Sequence, residues 1–224
     1  MKEEQFRQAV SRTRALLQDL KAAGVTDLPQ GPTPNNAGAQ SRASKEEVLA
    51  PIRRAALQCV KCRLCKERKS VVFGEGSLEA RVVFVGEGPG KEEDLQGRPF
   101  VGAAGRLLTQ LLKEAGLKRE EVYIANVVKC RPPGNRPPEP DEVAACFPYL
   151  EAQLTTIKPK VICALGRTAA NTLLGTLAPM GSLRGQIFSW KEIPLVITFH
   201  PAYLLRNPAG KPLVEEDLKG LLRF

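Results

Sequence analysis

Short apolar runs alternate with amphipathic segments along most of the chain. Runs rich in β-branched residues predict strands at residues 71–73, 82–85, 122–126, 161–165 and 195–199. Apolar residues at helical spacing predict helices at residues 104–115, 141–157, 167–174 and 214–222. Several of these helices begin just after turns rich in glycine or proline, as short strand-to-helix connections do. The pattern therefore predicts an α/β fold with one central, mainly parallel sheet flanked by helices.

The first 44 residues have a different pattern from the rest. Residues 1–23 predict an amphipathic helix, which either packs back onto its own domain or binds a partner. Residues 24–44 are rich in glycine, proline, asparagine, serine and alanine and predict a flexible linker. Ser44-Lys-Glu-Glu47 has the spacing of a capping box, so a helix is expected to begin there and to run to about Gln58. We expect one domain at residues 45–224.

The segment between residues 81 and 105 has the pattern of a ligand site. A buried strand is followed by a turn and a run of acids, which contain Gly86, Gly88, Gly90, Glu92, Glu93 and Asp94. Open α/β sheets bind their ligands outside the carboxyl ends of the strands. This pattern alone does not identify the ligand, and a phosphate or nucleotide would fit such a turn.

Composition narrows the class of protein. The 43% hydrophobic content is enough for a core, and no apolar run approaches the ~18 residues of a membrane span. The charged amino terminus is not a secretory signal, so we expect a soluble, cytoplasmic protein without a membrane partner. The net charge of +9 fits a polyanionic partner such as nucleic acid, or equally a generally basic surface.

Six cysteines without a secretory signal favour metal or redox chemistry over disulfides. Cys59, Cys62 and Cys65 lie close together, Cys130 and Cys146 follow later, and Cys163 lies inside an apolar strand, where cysteine is usually a small hydrophobe. Four thiolates suit zinc or an iron–sulfur cluster, and the spacing does not choose between them or among the first three cysteines. The single histidine, His200, excludes zinc sites that need several histidines.

Four motifs occur in order along the chain. They are Gly86-Glu-Gly-Pro-Gly90 with its acids, Gly97-Arg-Pro-Phe-Val-Gly102, Asn126-Val-Val-Lys-Cys-Arg-Pro-Pro133 and His200-Pro-Ala-Tyr-Leu-Leu-Arg206. With these motifs, from about residue 58 to residue 224, the chain resembles the family 4 uracil-DNA glycosylases, the iron–sulfur type of bacteria and archaea. The resemblance implies a three-layer α/β/α fold. It also implies monofunctional hydrolysis of the N-glycosidic bond of uracil in DNA, which leaves an abasic site for base excision repair.

The resemblance also implies roles for individual residues. A 4Fe–4S cluster, thought to be structural, would be held by Cys59, Cys62, Cys130 and Cys146, with Cys65 left out. Asn126 would read O4 and N3 of the uracil with its amide. Phe100 would stack on the base, and His200 would donate to O2, where negative charge grows as the bond breaks. Gly86, Glu87 and Gly88 would form the rest of the uracil pocket.

The resemblance does not supply a residue at the position of the catalytic acid. Relatives in family 1 carry an aspartate and a tyrosine where this chain has Gly88 and Gly90. We therefore expect Glu87 to contact the base and Glu93 to orient water, stabilise the sugar or block a thymine methyl, so that Glu87, Glu93 and His200 form the catalytic set. The alternative is that the acids only stabilise the first turn of a helix.

The partner is expected to be uracil-containing DNA, single- or double-stranded, bound by a monomer. Tyr203, Leu204 and Leu205 would form a wedge that fills the gap left by the flipped base. Phosphate contacts are expected from four cations: Lys129, Arg131, Arg136 and Arg206. One alternative is a covalent uracil-DNA-binding relative, which needs a histidine that the loop after Cys130 lacks. Another is a non-catalytic or polymerase-associated DNA-binding module.

Overall fold

The computed structural model describes residues 43–224. The predicted N-terminal helix and nearly all of the predicted linker lie outside these residues, so the proposed domain boundaries remain a prediction. The capping box is confirmed: the Ser44 side chain accepts from the Glu47 N–H, and the Ser44 N–H donates to Glu47 Oε2 at 2.7 Å. Helix α1 (Lys45–Leu57) begins at this cap and ends at Gln58.

Six strands form one mixed sheet. They are β1 (Glu75–Gly76), β2 (Val82–Gly86), β3 (Tyr123–Asn126), β4 (Val161–Leu165), β5 (Ile187–Trp190) and β6 (Ile193–Thr198). Their order is β1-β3-β2-β4-β6-β5, with the four central strands parallel and the two edge strands antiparallel. In this register Gly86 lies opposite Asn126 and Leu165 lies opposite Thr198. The carboxyl ends of all four central strands therefore lie along the same edge of the sheet.

Helices cover both faces of the sheet. The remaining helices are α2 (Lys91–Gln96), α3 (Ala103–Glu114), α4 (Pro140–Ile157), α5 (Arg167–Leu174), α6 (Met180–Leu183), α7 (Pro201–Arg206) and α8 (Lys211–Gly220). Successive residues of β2 point to opposite faces: Val83 and Val85 pack with α1, α4 and α5, whereas Val82 and Phe84 pack with α3 and α8. Because each face has its own hydrophobic core, the predicted three-layer α/β/α fold is confirmed.

The predicted strands at residues 82–85, 122–126, 161–165 and 195–199 are confirmed to within two residues at each end, and the predicted helices to within three. The predicted strand at residues 71–73 is wrong. These residues are buried, but within residues 43–224 their one backbone–backbone hydrogen bond to another segment runs from the Val72 N–H to the Lys129 carbonyl at 2.8 Å. The edge strand forms later, at Glu75 and Gly76. Gly76 permits this close pairing because it has no Cβ, and a Cβ there would lie 2.0 Å from the Val122 carbonyl oxygen. Among residues 43–224, no helix is both long and apolar enough to cross a bilayer.

Candidate active site

A cavity of about 620 Å³ opens at the carboxyl ends of the parallel strands. The chain leaves β2 for β3 on one side and later places β4 on the other, and such a switch point is where open α/β sheets bind ligands. The four sequence motifs meet here, although they are far apart along the chain. The lining includes Glu87, Phe100, Asn126, Leu165, Thr168 and His200.

Asn126 is the buried end of β3 and faces this cavity. Its side-chain oxygen Oδ1 has no hydrogen-bond partner within residues 43–224, although the residue is only 1% exposed. Buried polar atoms are nearly always paired, so an orphaned one in a cavity wall points to a ligand. The neighbouring Gly86 makes room for this amide, because a Cβ there would lie 2.5 Å from Asn126 Oδ1 and 2.6 Å from Phe100 Cζ.

Phe100 forms an aromatic wall beside Asn126. Its backbone is left-handed, with φ of 52°, a conformation that non-glycine residues adopt only when their surroundings hold it. Two neighbours hold it here. Gly105 lets helix α3 pack against the loop, since a Cβ there would lie 2.0 Å from the Phe100 carbonyl, and the Arg119 guanidinium donates to the Pro99 carbonyl at 2.6 Å.

His200 caps the start of α7 and faces Phe100, with 5.5 Å between the ring centroids. Its Nδ1 accepts the Ala202 N–H at 3.1 Å. Burial lowers the pKa of His200 to about 4, and the positive charge of Arg206 acts in the same direction while Glu93 opposes it. The ring is therefore neutral near pH 7, and because Nδ1 is an acceptor, its single proton lies on Nε2. His200 thus offers the cavity one N–H donor.

Glu93 lines the cavity and also caps a helix. Its Oε1 accepts the N–H groups of Val101 and Gly102, both at 2.8 Å, and Gly102 precedes the first residue of α3. One carboxylate oxygen is therefore committed to the loop that holds Phe100. The other, Oε2, has no hydrogen bond to the described part of the protein and lies beside Gly90, where a Cβ would approach it to 2.7 Å.

Glu87 is held by a residue that the sequence reasoning missed. Its carboxylate accepts a short hydrogen bond from the Thr168 hydroxyl, in the first turn of α5. The available signal was the Gly166-Arg-Thr turn after a predicted strand, because such turns lie at the same sheet edge as the motifs. The third acid of interest, Asp94, has a structural role: it is 2% exposed and accepts the N–H groups of Lys69 and Ser70.

A second cavity is lined by cysteines. It contains Cys59, Cys62, Cys65, Cys130 and Cys146, together with Arg68, Lys129 and Tyr149. The Arg68 guanidinium donates to Cys130 Sγ at 3.3 Å, and the Lys129 N–H donates to Cys146 Sγ at 3.2 Å. Burial raises the pKa of the Cys146 thiol to about 11, so a bound cation would be needed to keep it as a thiolate.

The donor set of this cavity consists of thiols, the ligands that zinc and iron–sulfur clusters take. Within residues 43–224, no three histidine, cysteine or acidic side chains lie close enough together to hold one metal ion. An iron–sulfur cluster holds several iron atoms, and its ligands are usually cysteine thiolates. The sixth cysteine, Cys163, is fully buried inside β4, as expected for a small hydrophobe.

Two of the predicted DNA contacts are contradicted by burial. Lys129 is 1% exposed, because its ammonium turns inward to the Asn126 carbonyl at 3.0 Å and to Gln153 Oε1 at 2.6 Å, so it is not available to a phosphate. Leu204 is 3% exposed and packs in the core below α7, so it does not form the tip of a wedge. In the same helix Leu205 is 51% exposed and Tyr203 is 40% exposed.

The three predicted arginine contacts lie at the surface. Arg136 and Arg206 line the main cavity, and Arg131 is oriented by Asn135 Oδ1 at 2.7 Å. Arg136 is also paired, through two hydrogen bonds of 2.7 and 2.8 Å, with the buried carboxylate of Glu142. This pair fixes the loop between Cys130 and α4 while leaving the guanidinium partly exposed.

The fold and the cavity define an α/β protein with a candidate ligand site at the carboxyl ends of its parallel strands. The chain belongs to the uracil DNA glycosylase superfamily, whose sequence model matches residues 73–221. It is 50% identical over 188 residues to the type-4 uracil-DNA glycosylase of Thermotoga maritima, covering 81% of this chain and 96% of that protein. It is 47% identical over 180 residues to the type-4 uracil-DNA glycosylase of Sulfurisphaera tokodaii, covering 76% and 82%.

Proposed function

We propose that this protein is a monofunctional uracil-DNA glycosylase of type 4, which hydrolyses the N-glycosidic bond of a flipped-out deoxyuridine and leaves an abasic site. The observation that carries the proposal is the buried Asn126 Oδ1 beside Gly86 and Phe100, which has no hydrogen-bond partner within residues 43–224. An amide has a donor and an acceptor, which complement N3–H and O4 of uracil. Cytosine presents the reverse pattern at these positions, so the orientation of the Asn126 amide decides which of the two bases it reads.

Two further groups act on the bound base. Phe100, held in its left-handed conformation, provides the face on which the pyrimidine stacks. The Nε2–H of His200 donates to uracil O2, which gains negative charge as the electrons of the C1′–N1 bond move into the ring. A neutral histidine suits this role, because it stabilises the departing anion by a preorganised hydrogen bond without first having to bind a proton.

Water must then attack the sugar, and the two acids are our candidates for directing it. Glu93 has one oxygen bonded to the Phe100 loop and Oε2 free toward the cavity, an arrangement that would orient a water molecule or face the positive charge of the sugar. Glu87, held by Thr168, would contact the base from the turn that also contains Gly86 and Gly88. Both roles are proposals for this chain.

We infer that Cys59, Cys62, Cys130 and Cys146 hold a 4Fe–4S cluster. The five cysteines of the lining and the donors from Arg68 and Lys129 to two of the sulfurs support this inference, since such hydrogen bonds accompany cluster sulfurs. When bound, the cluster would cross-link the start of the domain to the loop before α4. Cys65 lies in the same cavity, and the choice of Cys59 and Cys62 over it follows the resemblance.

Uracil-containing DNA is the proposed partner, bound by a monomer in the cytoplasm. Arg131, Arg136 and Arg206 would contact phosphates around the cavity, and Leu205 with Tyr203 would fill the space of the flipped base. All of these residues lie within the predicted domain at residues 45–224.

The test is excision from an oligonucleotide that contains one uracil. Release of free uracil and alkali-labile sites are expected from the iron-loaded protein, with at least a 100-fold slower reaction for His200→Ala. A non-catalytic DNA-binding module, the second candidate, would bind the oligonucleotide and release no uracil. That result from folded, iron-loaded protein would end the proposal.

A further inference from the structure

Lys129 is a fully buried cation without an acidic partner among the described residues. Its ammonium turns back onto its own strand and donates to the Asn126 carbonyl at 3.0 Å and to Gln153 Oε1 at 2.6 Å. Burying an ammonium without a carboxylate is costly, and an apolar side chain of similar length would fill the same space at less cost. The presence of lysine here therefore calls for a role that methionine would not fill.

Gln153, the second partner of the Lys129 ammonium, also bonds to two other segments of the protein. Gln153 lies in α4, and its amide donates to the Phe73 carbonyl at 2.8 Å and to the Tyr123 hydroxyl at 3.0 Å. Tyr123 begins the strand that Asn126 ends. Lys129 and Gln153 thus connect both ends of β3 to helix α4, and Asn126 is the residue at which the connection reaches the main cavity.

The same lysine adjoins the cysteine cavity. Its own N–H donates to Cys146 Sγ at 3.2 Å, and the next residue along the chain is Cys130. Cys146 lies in α4, two turns before Gln153. Lys129 therefore adjoins both the proposed uracil-reading residue and one of the proposed cluster ligands.

We propose that Lys129 is a positioning residue for uracil recognition: by holding the Asn126 carbonyl and Gln153 together, it sets the angle at which the Asn126 amide faces the base. The inference rests on the proposed role of Asn126. The amide oxygen that would read uracil has no other partner in the described protein, so the backbone is what orients it. Lys129 is the side chain that holds this backbone carbonyl from inside.

The first test compares Lys129→Met with the control Lys113→Met, which removes an exposed lysine of α3. At a temperature where both are folded and iron-loaded, Lys129→Met is expected to slow single-turnover uracil excision by about 10- to 100-fold and to weaken inhibition by free uracil similarly. Affinity for a duplex with a non-cleavable abasic analogue should stay within about twofold, because the surface arginines are unchanged. Unaltered excision and uracil inhibition would overturn the proposal.

Hydrogen exchange gives a reading that does not depend on catalysis. Lys129→Met should raise the exchange rate of the amides at residues 123–128, while those of α3 and α8 remain protected. If the wild-type protein released no uracil but this local effect appeared, the proposed function would fail and the structural connection would stand. A uniform rise in exchange across the domain would instead indicate a merely structural lysine and overturn the inference.

A second pair of variants covers the case in which Lys129→Met does not fold or does not bind iron. Gln153→Met removes the acceptor of the ammonium. Gln153→Glu keeps an acceptor for it, now as a carboxylate that pairs with the ammonium, and loses the donors to Phe73 and Tyr123. Slower excision by Gln153→Met, restored in large part by Gln153→Glu, would support the proposal. Equal excision by the two variants would refute it.

Discussion

The Gly86→Ala substitution tests most directly where the base binds. The added Cβ would lie 2.5 Å from Asn126 Oδ1 and 2.6 Å from Phe100 Cζ, where ordinary contacts begin at 3.4 Å. The new methyl group would be too close to both the amide and the aromatic ring, so both must give way by close to 1 Å or the backbone at Gly86 must shift. In a well-packed core such overpacking costs about 1–3 kcal/mol of stability.

The expected effect on activity is larger than the effect on stability. A displacement of about 1 Å in a base-reading group costs on the order of 100-fold in rate. We therefore expect Gly86→Ala to lower single-turnover excision by about that factor and to weaken inhibition by free uracil, with normal iron content. Movement of Asn126, of Phe100 or of the Gly86 backbone disturbs the same pocket.

The matched control is Gly220→Ala, since a Cβ at that glycine would meet nothing within 4 Å. Thermal unfolding of each variant separates lost stability from lost recognition. If folded Gly86→Ala excised uracil within about twofold of the wild-type rate and bound free uracil equally well, the base could not lie between Asn126 and Phe100, and the assignment of the pocket would be refuted.

Three further predictions concern the histidine, the DNA surface and the cysteines. Because the pKa of His200 in the folded protein is lowered to about 4 from 6.5, the unfolded chain binds more protons between these values, and His200 contributes a loss of stability as the pH falls through this window. Denaturant unfolding of wild type and His200→Ala should show a smaller decline below pH 6.5 in the variant, and equal declines would contradict the shift. Arg206→Ala should reduce the slope of log affinity against log salt by about 1, measured on uracil-free duplex, and an unchanged slope would exclude a phosphate contact. Cys130→Ser should lose iron and become less stable, while Cys163→Ser keeps its iron. Iron retained by Cys130→Ser would remove that residue from the proposed ligand set.

The parallel core of this fold is predictable from local sequence. The runs at residues 82–85 and 161–165 are apolar at every position, because strands covered by helices on both faces have no solvent side. The capping box at Ser44 depends only on residues within one turn, and it is confirmed. Such features are settled over a few residues and need no knowledge of the rest of the chain.

The less regular elements could not be predicted in this way. Strand β5 lies at an edge of the sheet, is mostly exposed and has only four residues, so neither its length nor its burial gives a strong pattern. The apolar run at residues 71–73 looks like a strand, yet it is buried without a neighbouring ladder, and the paired edge forms at Glu75 and Gly76 instead. Which of these two adjacent segments pairs with β3 depends on the close backbone approach to Val122 that Gly76 permits.

The sequence by itself determined the parallel α/β layers, the cysteine group and the four motifs that meet at the strand ends. Tertiary structure alone decided which way side chains point. The sequence around Lys129 predicts a basic surface, but helix α4 covers this lysine. The sequence around Leu204 predicts an exposed apolar tip, but this leucine packs in the core below α7. In the sequence Glu93 is one of three similar acids. Only the packing of the Phe100 loop distinguishes it, because Oε1 accepts two N–H groups of that loop while Oε2 has no hydrogen bond to the described residues. Burial is set by whatever elements fold over a residue, and these contacts come from distant parts of the chain.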